Sequence, residues 1–79
     1  MKVRFFAGAA DAAGTEETTL AGPLSAGQAR AALVEAHGPE FARVLGRCSL
    51  MADGARVEDD AEVLPDSATL DVLPPVAGG

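Results

Sequence analysis

The sequence predicts an α+β domain in which one main helix packs on one face of a mixed sheet of four to five strands. Three observations predict this class. The segments Met1–Phe6 and Thr69–Leu73 alternate in polarity, which is typical of strands at the two ends of the chain. A capped apolar stripe between them is typical of one amphipathic helix. An Asp53-Gly54 pair between apolar flanks indicates a hairpin in the second half of the chain.

The first two strands are predicted to form a hairpin with a loose connection. Val3 and Phe5 fall on one face of the first strand, and Phe6 falls on the other. Gly8–Gly14 contains only small residues and one aspartate, so we expect a flexible connection that fills no core. Thr15–Leu20 is polar and rich in threonine, which suits a half-exposed second strand.

The main helix is predicted over Ser25–His37. Ser25 and Gln28 have the spacing of a capping box, in which each side chain bonds the backbone N–H of the other residue. Gly38 suits the position after the last turn, and Pro39 prevents the helix from continuing. The apolar stripe recurs at helical spacing and consists of Ala29, Ala32, Leu33 and Ala36. Because the stripe is thin, we expect the helix to lie close to the sheet.

The second half of the chain is predicted to hold a short extra helical turn and three strands. The extra turn covers Glu40–Leu45, with Phe41, Val44 and Leu45 facing inward. Val63 and Leu64, in an acidic connection, are predicted to form another short helical turn. The three strands are Cys48–Ala52, Ala55–Val57 and Thr69–Leu73. We expect the last strand to lie parallel to the first strand, between the two hairpins.

Composition and charge limit the classes of function. The 79 residues have room for one domain. A net charge of −6 argues against electrostatic binding to nucleic acid or an anionic membrane, and no apolar run reaches the ~20 residues that span a bilayer. One cysteine excludes an internal disulfide framework, and one histidine excludes a histidine-based metal cluster. We therefore expect a cytoplasmic protein that holds no metal and whose partner presents a basic surface.

The end of the chain carries the most informative motif, Pro74–Gly79, with the sequence PPVAGG. We expect residues 1–73 to form the folded domain and residues 74–79 to form a flexible tail. In extended form, a six-residue tail reaches about 20 Å. Because Gly78 and Gly79 have no Cβ atom, a narrow channel in another protein can admit them. This combination predicts a tail that presents the Gly79 carboxylate to a partner's active site.

Taken together, the start KVRFFA, the glycine-rich connection, the capped helix and the ending LPPVAGG resemble the MoaD-type small subunit of molybdopterin synthase. That subunit belongs to the MoaD/ThiS group of ubiquitin-like sulfur carriers, all of which share the terminal Gly-Gly. The resemblance covers the whole chain and implies the β-grasp, or ubiquitin-like, roll. The sequence departs from the family at Leu73, where an aromatic residue often precedes the two prolines.

The resemblance also implies a chemistry for Gly79. A ubiquitin-activating-type adenylyltransferase (MoeB-type) uses ATP and Mg²⁺ to convert the Gly79 carboxylate to an acyl-adenylate, and a sulfur donor then leaves a thiocarboxylate. This thiocarboxylate donates sulfur in molybdopterin (molybdenum cofactor) biosynthesis. The tail enters the large (MoaE-type) subunit, which supplies the catalytic side chains. The chain itself is implied to bind no cofactor.

The predicted partner-binding surface lies beside the tail. Phe6 lies off the face that carries Val3 and Phe5, which favours an exposed ring, although packing of Phe6 against a loop is an equal alternative. The family docks on its partners through this face of the sheet and through the tail. The predicted partner-binding residues are Phe6, Leu73, Pro74, Pro75, Val76, Ala77 and Gly78.

Three other functions stay open at this point: a sulfur carrier for thiamine, cysteine or another metabolite, a non-covalent ubiquitin-like interaction module, and a modifier that forms isopeptide bonds through Gly79. Cys48 is predicted to be a small buried side chain rather than a reactive thiol. His37 is predicted to be a surface residue near the end of the helix. The acidic residues of the C-terminal third are predicted to be a solvated face, or a surface that steers the chain toward a basic cleft.

Overall fold

The structure is a computed structural model and describes residues 1–75. It contains, in chain order, β1 (Lys2–Phe5), α1 (Gly8–Ala13), β2 (Glu17–Thr19), β3 (Leu24–Ser25), α2 (Ala26–His37), α3 (Pro39–Leu45), β4 (Ser49–Ala52), β5 (Ala55–Arg56), β6 (Val63–Leu64) and β7 (Thr69–Leu73). The predicted main helix, the extra helical turn and the five predicted strands are all confirmed, with small differences at their ends.

The main sheet has five strands in the order β2-β1-β7-β4-β5. β1 pairs with β7 in parallel, and the register places Val3 beside Leu70 and Phe5 beside Val72. The other three pairings are antiparallel. The last strand therefore lies between the two hairpins, as predicted, and β7 is the central strand of the sheet.

The core lies between the main sheet and the helices. The fully buried side chains of β1 and β7 include Val3, Leu70 and Val72. On the helices, Leu33 of α2 and Phe41 of α3 are also fully buried. On β1 and β7, buried residues alternate with exposed or half-buried ones, as expected for strands with one covered face. The helices thus cover one face of the sheet.

The predicted capping box is present at the start of α2. The backbone N–H of Gln28 donates to Ser25 Oγ at 3.1 Å, and the backbone N–H of Ser25 donates to Gln28 Oε1 at 2.9 Å. The predicted stripe is only partly right. Its buried members are Ala29 and Leu33, together with Ala26, and the predicted Ala36 is exposed. In the last turn of α2, His37 rather than Ala36 faces the core.

The predicted loose connection at Gly8–Gly14 is wrong, because most of this segment forms α1. Ala9 of α1 is fully buried, and the helix packs against α3. Gly14 ends the helix in a left-handed conformation (φ 76°) and donates its N–H to the Ala10 carbonyl at 2.9 Å. Alanine has the highest helix propensity, and its small side chain lets a short helix fit closely against a neighbour.

The predicted helical turn at Val63 and Leu64 is also wrong. These residues form β6, which pairs with β3 in a separate two-stranded sheet. Ser25 therefore has two roles, because its backbone pairs with Val63 while its side chain caps α2. The Asp53-Gly54 turn is confirmed, with both residues at positive φ (49° and 82°).

Candidate docking face and tail root

One face of the main sheet is not buried by the helices, and we call it the open face. Lys2 and Arg4 of β1 are exposed on it, and Asp71 and Leu73 of β7 are half-buried. Strand pairing arranges its side chains in rows across the sheet. The open face comprises Lys2, Arg4, Phe6, Glu17, Thr19, Ser49, Met51, Arg56, Thr69, Asp71 and Leu73.

The central strand β7 ends at the edge of the open face in a segment that we call the tail root, residues 73–75. The backbone N–H of Phe6 donates to the Val72 carbonyl at 3.2 Å, which continues the parallel register and puts Phe6 next to Leu73. The Phe6 side chain is 39% exposed. Leu73 and Pro74 are half-buried, and Pro75 is exposed. The predicted exposed ring and the start of the tail thus lie side by side at the end of the neighbouring strands β1 and β7.

The structure therefore brings together four of the predicted site residues, namely Phe6, Leu73, Pro74 and Pro75. The predictions for Val76, Ala77, Gly78 and Gly79 lie outside the described residues. The prediction that residues 74–79 form a flexible tail also lies outside the described residues, except for Pro74 and Pro75.

An ion pair that the sequence did not predict lies beside the exposed Phe6 ring. Arg4 Nε donates to Asp71 Oδ1 at 2.6 Å, and Arg4 Nη2 donates to Asp71 Oδ2 at 2.8 Å. The central carbon of the Arg4 guanidinium also lies 5.7 Å from the centroid of the Phe6 ring, within cation–π range. The carboxylate of Asp71 raises the pKa of Arg4 above its usual value, chiefly through these hydrogen bonds. The pair orients a charged group beside the exposed ring.

The charge of the open face differs from that of the whole chain. Lys2 pairs diagonally with Glu17 at 3.8 Å, and Arg4 pairs with Asp71 directly across the strands, so opposite charges lie close together on adjacent strands. The exposed acidic residues of the C-terminal third lie mostly elsewhere, in the loop that contains Glu58, Asp59, Asp60 and Glu62. The open face has three basic and two acidic side chains, so a partner that docks there meets nearly balanced charge. Apolar contact with Phe6, Met51 and Leu73 is therefore the main attraction available there.

The lone thiol has the environment of a packing residue. Cys48 is half-buried, and its Sγ donates to the Val44 carbonyl at 3.2 Å. Burial raises the pKa of the Cys48 thiol, and the charge of Arg30 only partly opposes this effect. The thiol is therefore held in its neutral, weakly nucleophilic form.

The prediction that His37 is a surface residue does not match the structure. Its ring lies 5.3 Å from the ring of Phe5 and 5.2 Å from the ring of Phe41, between centroids. Its Nε2 atom is buried and has no hydrogen-bond partner in the described part of the chain. His37 thus completes an aromatic cluster under the sheet, at the end of α2.

Among residues 1–75, no group of three or more histidine, cysteine, aspartate or glutamate side chains is placed to hold a metal ion. Within the same range, no helix has the length and hydropathy needed to cross a membrane.

The model of the ThiS family matches residues 3–79. No protein among the curated sequences matches the chain.

Several solved structures share the fold along almost the whole chain. The crystal structure of SAMP1 from Haloferax volcanii matches at 29% identity, covers 100% of this chain and 98% of its own, and gives a TM-score of 0.80. The solution structure of small archaeal modifier protein 1 from Methanosarcina acetivorans matches at 27% identity, with 99% and 94% coverage and a TM-score of 0.81. These similarities confirm the predicted β-grasp roll.

A third structure is a protein complex. The complex of subunits 1 and 2 of the molybdopterin-converting factor from Helicobacter pylori 26695 contains a chain that matches at 26% identity. The match covers 99% of this chain and 96% of that one, with a TM-score of 0.74.

Proposed function

Because this chain belongs to the ThiS family of ubiquitin-like sulfur carriers, we propose that it is the small subunit of a molybdopterin synthase. In this proposal Gly79 is adenylated, converted to a thiocarboxylate, and used to donate sulfur during molybdopterin biosynthesis in the cytoplasm. The chain supplies the reacting atom, and a large subunit supplies the catalytic side chains.

The observation that carries the proposal is the position of the tail root. β7 is the central strand, and it leads directly into Pro74 and Pro75 beside the exposed Phe6. A partner that binds the open face is therefore already next to the segment that leads to Gly78 and Gly79. In this proposal the partner's active site then receives Gly78 and Gly79, which have no side chains to obstruct their entry.

The proposed chemistry begins with activation of a poor electrophile. The Gly79 carboxylate attacks the α-phosphorus of ATP inside the activating enzyme, where Mg²⁺ neutralises the phosphates, and pyrophosphate leaves. A persulfide sulfur then attacks the acyl carbon and expels AMP. A second thiol cleaves the resulting S–S bond, forms a disulfide with the donor and leaves the thiocarboxylate on Gly79. Each step acts on the terminal carboxyl group, so this chain needs no catalytic side chain of its own.

The choice of the molybdopterin pathway is supported by two features. The ending PPVAGG and the start KVRFFA resemble the molybdopterin branch of the family. The Helicobacter pylori structure contains subunits 1 and 2 of the molybdopterin-converting factor together, and this chain matches over almost its full length. We propose that a large subunit of this kind is the docking partner of the open face.

A second candidate function is covalent protein modification. It is favoured by the similarity to two proteins that are named small archaeal modifier protein 1. The same adenylate serves both functions, because a lysine amine in place of a persulfide gives an isopeptide bond. The two functions therefore share the activation step and differ in the nucleophile that follows.

Sulfur transfer in a reconstituted synthase tests the pathway. The thiocarboxylated chain is mixed with the large subunit of the same organism and cyclic pyranopterin monophosphate, and molybdopterin is measured as its fluorescent oxidation product. We expect product from the thiocarboxylate form and none from the carboxylate form. A thiocarboxylate form that binds the large subunit and gives no product would contradict the molybdopterin assignment.

A further inference from the structure

We infer that Lys2 is an acceptor site, at which the activated Gly79 carboxyl group of a second copy of this chain forms an isopeptide bond. The inference rests on the proposed activation of Gly79 and goes beyond it, because it names a modification site on the folded domain and the group that modifies it. Three independent properties of Lys2 carry the inference.

The first property is that Lys2 supplies the accessible amine of the chain. Lys2 is the only lysine in the sequence, and the other five basic residues are arginines, which stay protonated. The amino group of Met1 donates to the Leu20 carbonyl at 2.8 Å and lies 3.4 Å from Asp66 Oδ1. Met1 is buried at this position. An acyl-adenylate that approaches the folded domain therefore meets one exposed amine.

The second property is the space around Lys2. Its side chain is 54% exposed at the start of β1. In the row across the open face, its neighbours on both adjacent strands are threonines, Thr19 on β2 and Thr69 on β7. These side chains are short, and the incoming residues Gly78 and Gly79 have none. The acyl carbon can therefore approach the amine without a steric barrier from the row.

The third property is the weak restraint on the amine. Lys2 Nζ lies 3.8 Å from Glu17 Oε1, and both side chains are more than half exposed. Such a pair contributes little free energy, because water screens it and both side chains stay mobile. The ion pair keeps the amine over the open face and does not prevent it from reacting. By contrast, Arg4 in the next row is held at two points by Asp71.

The reaction balances without an additional reagent. The deprotonated Lys2 amine attacks the Gly79 acyl carbon of the second copy, and a C–N bond forms. The C–O bond to the phosphate of AMP breaks, and AMP leaves with the electron pair. Water takes one proton from the ammonium before the attack and one from the amine as the amide forms. ATP, consumed in the proposed activation step, supplies the driving force.

The site on Lys2 has a consequence for docking. Lys2, Arg4 and Phe6 lie on the same face along one strand, so Lys2 is about 13 Å from Phe6 at the usual rise per residue. A second copy attached at Lys2 therefore covers part of the open face. We expect the conjugated chain to bind the large subunit more weakly than the free chain does.

The test uses the full-length chain, the activating enzyme of its own organism, ATP and Mg²⁺, without a sulfur donor. Wild-type protein is expected to give a species with the mass of two copies less one water, and tandem mass spectrometry is expected to place the branch on Lys2. The Lys2→Arg variant keeps the positive charge and the ion pair with Glu17. It is expected to lose the conjugate, whereas Val63→Ala, which lies off the open face, is expected to keep both the conjugate and the ability to acquire sulfur when the sulfur donor is added.

Each other outcome is informative. A conjugate that persists in Lys2→Arg, or that is joined through the Met1 amino group, would overturn the inference. So would a wild-type chain that acquires sulfur from the donor but forms no conjugate without it. A chain that neither acquires sulfur nor forms a conjugate, with an enzyme active on another carrier, would contradict the proposed function itself.

Discussion

Arg4 and Asp71 lie side by side on the parallel strands β1 and β7 and are joined by two hydrogen bonds of 2.6 and 2.8 Å. The Asp71 side chain is 17% exposed, whereas that of Arg4 is 47% exposed. The carboxylate is therefore the fixed partner, and it determines where the guanidinium lies relative to the Phe6 ring. This ion pair therefore preorganises the part of the open face around Phe6.

The first prediction follows from that arrangement. In Asp71→Asn the guanidinium of Arg4 loses its charged partner, so it no longer has a fixed position beside Phe6. We expect weaker binding of the large synthase subunit, by a few-fold, and a small decrease in the thermal midpoint of the free chain. Calorimetric titration and thermal melts measure the two effects. Glu58→Gln is the matched control, because it breaks the exposed 3.8 Å pair with Arg56. An equal effect of both variants would refute the special role of Asp71.

The second prediction concerns the exposed ring at the tail root. Phe6→Asp places a charge where an apolar side chain is expected to contact the partner, and we expect the Kd for the large subunit to rise at least about tenfold. Val63→Asp is the control, because Val63 is the other large apolar residue that is exposed within residues 1–75 (66%) and lies on the separate two-stranded sheet. Both variants should keep the fold, as judged by circular dichroism. An unchanged Kd for Phe6→Asp would remove Phe6 from the interface.

The third prediction concerns the core under the sheet. Leu33 is fully buried and is the largest side chain in the buried stripe of α2. Leu33→Ala is expected to lower the free energy of unfolding by about 2–5 kcal/mol, since the neighbouring alanines are too small to fill the cavity. Urea denaturation measures the loss. Val63→Ala, at an exposed position, is expected to change stability by less than about 0.5 kcal/mol. A small loss in Leu33→Ala would show that the α2–sheet contact is not the main core.

The fourth prediction is a pH dependence at Asp66. Its carboxylate accepts the backbone N–H of Gly22 at 2.7 Å and lies near the Met1 amino group, and these contacts, the Gly22 bond first, lower the pKa of Asp66 below its usual 3.8. Because the pKa of Asp66 is lower in the folded state, its ionised carboxylate stabilises the fold above pH 3.8. This stabilisation is lost as the pH falls through the folded-state pKa. Asp66→Asn should therefore be less stable than wild type at neutral pH.

Urea midpoints of both proteins from pH 7 down to pH 2 test this dependence. The difference between wild type and Asp66→Asn should be constant at neutral pH and should shrink below pH 3.8. A difference that does not change with pH would show that the ionised carboxylate has no part in the effect.

The sequence predicted those features that depend on short-range patterns. The spacing of Ser25 and Gln28 identified the capping box, and the alternation in β1 and β7 identified the buried faces of both strands. Asp53 and Gly54 identified the turn because few residue pairs tolerate positive φ in succession.

The features that the sequence did not predict depend on packing between distant segments. The short helix α1 is stabilised by its contact with α3, and the residues Gly8–Ala13 carry no apolar period that would indicate it. The two-residue strands β3 and β6 are too short to show alternation. The Arg4–Asp71 pair could have been suspected from the polar position of Asp71 within an apolar strand, but it requires the parallel register to be known.

The sulfur-carrier proposal depends above all on the mass of the chain after incubation with its activating enzyme, ATP, Mg²⁺ and a sulfur donor. We predict the gain that corresponds to replacement of one oxygen by sulfur, located on Gly79 by tandem mass spectrometry and retained in Cys48→Ser. A chain that ends at Gly78 should show no gain. If the enzyme modifies its other carriers but leaves this chain unchanged, or if the added sulfur lies on Cys48, the sulfur-carrier account is contradicted.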